Sequence, residues 1–167
     1  MSPIDVLVAE LDHEMQSTRT LLEAVPAEHF AARPVEKMFS VAELAMHIAS
    51  IPMWGFHTID SDDLDIADMP QPPTPTAPDE VLKPFDEGVE KFRAALTAMD
   101  PAALAAVWTL RTGEQVHLTM PRGVVLRGFV FNHLYHHRGQ MTVYLRQLGA
   151  KVPGMYGPTG DEMPAGA

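Results

Sequence analysis

The chain has 167 residues, 46% hydrophobic and 20% charged, with a formal net charge of −10 and a sequence pI near 5.1. This predicts one globular domain over residues 1–167 with a real core. The negative charge argues against nucleic acid or an anionic membrane surface as partner. With no cysteine there is no disulfide, thiolate ligand or cysteine nucleophile, so any metal must rely on His, Asp or Glu.

The start, Met1-Ser2-Pro3-Ile4-Asp5, lacks the basic-then-apolar pattern of a secretory signal, and no apolar run approaches the ~20 residues of a membrane span. A cytoplasmic protein is expected. Ser2, Pro3 and Asp5 mark a helix start, and Ile4, Leu7, Leu11, Met15, Thr18 and Leu22 recur at helical spacing until Pro26. His13 falls on the polar side and reads as a solvent histidine. Residues 26–39, with Pro26, His29 and Pro34, form a connection.

Ser40-Val41-Ala42-Glu43 is a capping box opening a second helix that fades near Asp60. Leu44, His47, Ile51 and Trp54 share one face of it, which puts a histidine inside an apolar stripe. Pro52 frees the carbonyl of Ile48 and predicts a kink. Residues 61–78, rich in Asp and Pro and without periodicity, are expected as a long surface connection.

A third helix carries Val81, Phe85, Val89, Phe92, Leu96 and Met99 and stops at Asp100-Pro101. Pro84 is expected to confine its first turn to a separate piece. Residues 102–107 are alanine-rich and suit a helical turn or two. Leu110, Val116, Leu118 and Met120 then suggest a short hairpin around Thr112-Gly113-Glu114. A fourth helix runs from about Gly123 to Leu148, with Gly149 as its stop. The tail from Val152 to Pro158 is ordered only if it docks on the helices. Four amphipathic helices with one long proline-rich connection predict an all-α four-helix bundle.

His133 and His137 stand one turn apart on the fourth helix, on the side that carries Leu126, Val130, Leu134, Met141, Tyr144 and Leu148. Burying two imidazoles side by side is costly unless their nitrogens are satisfied, and a divalent metal does that. A bundle brings His47 to the same place. Three neutral imidazoles would make a site with open positions, of the kind catalytic zinc uses and nickel, iron or manganese can occupy. A carboxylate-bridged di-iron site is the other metal site such bundles hold. Glu10-Leu11-Asp12-His13 fits one of its motifs, but no Asp or Glu lies between Gly123 and Gly149, which rules the class out. His136 points about 100° away from His137 and reads as a supporting or interface residue. Glu43, one turn before His47, is a candidate base or orienting group, although helix capping is the commoner role. Gln140 and Tyr144 point near the metal face and are candidates for lining a catalytic pocket.

His133 through Gly149 (HLYHHRGQMTVYLRQLG), with Val152-Pro153 and Tyr156-Gly157-Pro158, resembles the C-terminal signature of the DinB-like superfamily, which includes YfiT-type proteins grouped as metal-dependent hydrolases. The stretch VAELAMHIAS resembles the second-helix motif of that superfamily. The resemblance implies an up-down-down-up four-helix bundle, often a homodimer, holding a divalent metal through His47, His133 and His137. Many relatives carry an aspartate where this chain has Asn132. Some members are thiol-dependent transferases or isomerases, so a small-molecule substrate and a low-molecular-weight thiol are the implied partners.

The leading expectation is a metal-dependent enzyme activating water or a thiol, with zinc or nickel ahead of iron or manganese. Its rival is a non-catalytic metal-binding or stress-response protein, whose ion should be closed off by a fourth protein ligand. A third reading is a metal-free dimeric helical module in which Gly128 and Gly139 serve close helix packing.

Overall fold

The computed structural model describes residues 1–67, 69 and 73–163. Its first two helices begin where side chains satisfy the free amides of their first turns. Ser2 caps α1 (Pro3–Glu23): its hydroxyl accepts from the Asp5 amide at 3.1 Å, and the Asp5 carboxylate accepts from the Ser2 amide at 2.7 Å. Ser40 and Glu43 repeat the pair at the head of α2 (Val41–Asp60), at 3.2 and 2.6 Å. α3 is Asp79–Ala98. The last helical stretch is composite, with α4 (Arg122–Val125), a π-helical segment (Leu126–Phe131) and α5 (Asn132–Gln147) in direct succession. Gly149, just beyond α5, takes φ +71°, the left-handed conformation that ends many helices.

The stripes read from the sequence meet in one core. Leu11, Leu44, Ile48, Phe92, Leu126 and Leu134 are all within 1% of full burial. α2 packs chiefly against α3 and α5, while α1 packs against α3 and more lightly against α5. Two glycines permit the closest approach of α2 and α3. A Cβ on Gly88 would stand 3.3 Å from the Cβ of Pro52, and one on Gly55 would lie 2.5 Å from the Phe92 ring. α2 runs through Pro52 as one helix.

Three expectations need correction. The fold is mostly helical but not all-α, because a three-stranded sheet of order β1-β2-β3 sits beside the helices. The hairpin is present as β2 (Val107–Thr112) and β3 (Gln115–Pro121), antiparallel, with Gly113 at φ +56° in the turn. Its partner β1 (Asp63–Asp65) lies within the stretch expected as a plain connection and pairs parallel with β2. Asp-Leu-Asp carries no strand pattern of its own. Arg111 holds it, donating to Asp63 at 2.7 Å and pairing also with Asp65, whose carboxylate accepts from the Gly113 amide at 3.0 Å. Residues 68 and 70–72 of that stretch lie outside the described residues. Finally, α3 is continuous from Asp79 through Pro84, since only the carbonyl of exposed Glu80 loses its helical partner there.

The alanine-rich piece forms a 3-10 turn, Pro101–Ala105. Arg122 then ties the end of α2 to the start of α4. Its guanidinium donates to the carbonyls of Thr58 at 2.6 Å and Ser61 at 2.9 Å, and to Asp62 at 2.8 Å. The tail does dock. Val152 is buried, and the Tyr156 hydroxyl joins a buried pair in which Arg138 donates to Glu14 at 2.5 Å. No described helix is long and apolar enough to cross a membrane.

Candidate metal centre

The contact between α2 and α5 decides where the histidines meet. His47 lies at the edge of the α2 stripe: Leu44 and Ile51 face the core, whereas His47 and Trp54 are half-buried and open toward a cavity. His133 and His137 face His47 from successive turns of α5, and His137 also lines the cavity. The Nε2 atom of His47 stands 3.1 Å from that of His133 and 3.0 Å from that of His137. These three side chains form a cluster able to hold a metal ion.

The spacing fits the donors. At metal–nitrogen distances of about 2.0–2.1 Å, neighbouring ligands lie roughly 3.0 Å apart at right angles and roughly 3.3 Å apart in a tetrahedron. The tautomers fit as well. His137 Nδ1 donates to Gln140 Oε1 at 2.7 Å, which leaves its Nε2 lone pair pointing at the cluster. At His133 the Phe129 carbonyl, in the π-helical segment one turn earlier, opposes the lowering of the pKa by burial. Two ring nitrogens stand within 3.1 Å of His47 Nε2, whose single proton could satisfy only one of them. A cation satisfies all three.

The surroundings hold the rings neutral. Burial, then the neighbouring His137 and His133 rings, push the His47 pKa down to about 4. Burial also lowers those of His133 and His137, opposed by the hydrogen bonds to Phe129 and Gln140. Neutral imidazole is the form that binds metal.

A cavity of about 960 Å³ opens beside the triad. The pocket-facing stripe of α2 forms one wall, the 33–39 segment another, and His137, Gln140 and Tyr144 close one side. The Phe39 ring lies 5.4 Å from the His47 ring, centre to centre. Gln140 hydrogen-bonds His137, a contact its position three residues later allowed but did not single out. The Tyr144 hydroxyl donates to the Phe39 carbonyl at 3.0 Å, and burial raises its pKa, so the phenol keeps its proton. Glu43 lines the same cavity with its carboxylate already engaged. The Ser40 amide and the Arg33 guanidinium, 2.9 Å away, hold it below the usual carboxylate range. His13 and His136 are exposed, and neither joins the triad. Among the described residues no carboxylate completes it.

The family model described as "DinB family" matches residues 1–165. The chain belongs to the DinB family. This DinB-family chain is 29% identical over 164 residues to the uncharacterized protein YrdA of Bacillus subtilis, covering 95% of the present chain and 91% of YrdA. Among solved structures it is similar to a DinB-like protein from Bacillus cereus, with TM-score 0.67 and 23% identity over 89% of this chain and 94% of the other. A DinB-like protein from Bacillus subtilis gives the same TM-score of 0.67 at 19% identity, over 89% and 95% of the two chains. These structural likenesses carry the fold.

The sequence missed Phe39 and the methionines that line the cavity. A side chain on an irregular segment has no period to betray which way it points. Gly128 and Gly139 have no atom within 4 Å of a would-be Cβ, so neither serves helix packing inside the chain.

Proposed function

We propose that this chain is a divalent-metal-dependent enzyme that activates water or a low-molecular-weight thiol, acting as a hydrolase or a thiol-dependent S-transferase. One observation carries the reading: three imidazole Nε2 atoms converge at the wall of an open cavity with no fourth protein ligand among the described residues. Structural ions are normally closed by four protein ligands, whereas catalytic ones keep a position free. Bound by three neutral ligands, a divalent ion retains its charge and would lower the pKa of water or a thiol in a free position. All-nitrogen donors favour zinc or nickel, with iron next and manganese, which suits oxygen ligands, last.

The protein's own groups then have distinct tasks. Gln140 would keep the His137 lone pair turned to a bound ion, and Tyr144 holds the Phe39 backbone beside the triad. Glu43, held by Ser40 and Arg33, shapes the mouth rather than taking up protons.

Two assays test the reading on metal-loaded protein. In one, 4-nitrophenyl acetate reports hydrolysis. In the other, a thiol attacks 1-chloro-2,4-dinitrobenzene, forming a carbon–sulfur bond as chloride leaves and the thiol proton passes to solvent. Turnover in at least one, lost in His137→Ala, is expected. Rates equal to those of His137→Ala in both, with metal bound, would favour the non-catalytic rival. The homodimer implied by the family stands with this proposal, and a monomeric mass at all concentrations would contradict it.

A further inference from the structure

The cavity lining says what kind of molecule belongs beside the triad. We propose that the site selects an uncharged, largely apolar molecule with one polar group at the end facing His137 and Gln140. This rests on the enzyme reading only for its name as a substrate; its binding can be measured without metal.

The volume of about 960 Å³ lies at the upper end of small-molecule sites, which run from about 300 to 1,000 Å³. Its walls are thioether and aromatic: Met46, Met53 and Trp54 from α2 meet Met38, Phe39 and Met69 across the space. Thioethers are polarizable and unbranched, so such walls adapt to different shapes.

The polar groups of the lining are largely engaged with one another. The Ser50 hydroxyl donates to the His47 carbonyl at 2.8 Å, and that of Tyr144 to the Phe39 carbonyl at 3.0 Å. Arg33 donates to the Met38 carbonyl and to Glu43, so the one guanidinium among the described lining residues is already neutralised. Glu36 and Lys37, exposed neighbours of opposite sign, add no net charge at the rim. Away from that exposed rim, what stays available at the inner end is His47, His137 and the Gln140 amide NH2. A charged ligand drawn past the rim to that end would lose its hydration beside Arg33 and Glu43, which are already paired with each other, and the cost of that is high. Tolerance of shape with intolerance of charge is the result.

Trp54 lines the cavity, while the other tryptophan, Trp108, is 1% exposed elsewhere and its Nε1 has no partner among the described residues. Trp108→Phe therefore leaves a single reporter inside the site. Three matched nitroaromatic quenchers are titrated into this variant: 4-(4-nitrophenyl)butan-1-ol, 4-(4-nitrophenyl)butanoate and 4-(4-nitrophenyl)butylammonium. The alcohol should quench Trp54 with a Kd at least tenfold below those of both charged analogues. Met53→Asp should weaken the alcohol at least tenfold and Met53→Leu should not; if the aspartate variant fails to fold, the three-ligand comparison still decides. Tighter binding of either ion, equal binding of all three, or no saturable quenching would overturn the proposal. Measuring zinc and nickel uptake by the same His137-intact protein beside the titration separates the two readings. Selective alcohol binding by protein that takes up neither metal would leave this inference standing and remove the enzyme. Metal binding without selectivity would do the reverse.

Discussion

Gln140 shows how one side chain sets the character of the centre. Accepting from His137 Nδ1 at 2.7 Å, it selects the tautomer that turns the Nε2 lone pair toward the triad. Outer partners of metal-bound histidines commonly matter by 10–100-fold in affinity, so Gln140→Ala should weaken metal binding by roughly that factor. Gln140→Glu, which keeps an acceptor, should not. Competition against a chromophoric chelator measures both, and equal affinities for wild type and Gln140→Ala would count against the role. The lowered pKa values give a second expectation. Between about pH 6.5 and about pH 4 the unfolded chain protonates His47 while the folded metal-free protein does not, so the unfolded state binds more protons and stability rises with pH. The stabilisation is complete above about pH 6.5 and is lost as the pH falls toward about 4. His47→Gln should flatten that part of a denaturation-versus-pH curve; an unchanged slope would refute it.

At the scale of elements, what was legible followed periodicity, and what was hidden depended on contacts distant in sequence. The helices and the placement of His47, His133 and His137 on inward stripes follow from three- and four-residue spacing. β1 does not, because three residues flanked by acids become a strand only when Arg111 arrives from 46 positions later to pair with Asp65. The Glu14–Arg138 pair had a usable signal: each charge interrupts an apolar stripe, Glu14 between Leu11 and Thr18 and Arg138 between Leu134 and Met141. Arg138 is 2% and Glu14 8% exposed, and the pair links α1, α5 and the tail through Tyr156. Glu14→Ala strands a buried guanidinium and should cost about 3–5 kcal/mol, read from chemical denaturation. A loss below about 1 kcal/mol, the level of an exposed pair, would show the network to be incidental. Gly55→Ala forces a methyl into the Phe92 ring and should cost about 1–3 kcal/mol, whereas a gain in stability would show that the ring yields freely.

For the molecule as a whole, the family's helical scaffold acts as a frame that brings one face of α2 against α5. The three histidines sit on those two helices, while the opposite cavity wall comes from irregular segments. The histidine cluster was therefore readable from spacing, but the pocket that would choose a substrate was not. The sheet is tied to α2 and α4 through Arg122, which bonds the Thr58 carbonyl and Asp62 beside β1. Everything proposed about the reaction depends on whether the triad holds an ion. Elemental analysis of untagged protein, purified without chelator beside His47→Ala and His137→Ala, tests this most directly. Near-stoichiometric zinc, nickel or iron in the wild type, lost from both variants while they stay folded, is the expected result. Metal-free wild type that also refuses added zinc and nickel would contradict the account, leaving three histidines packed without a metal.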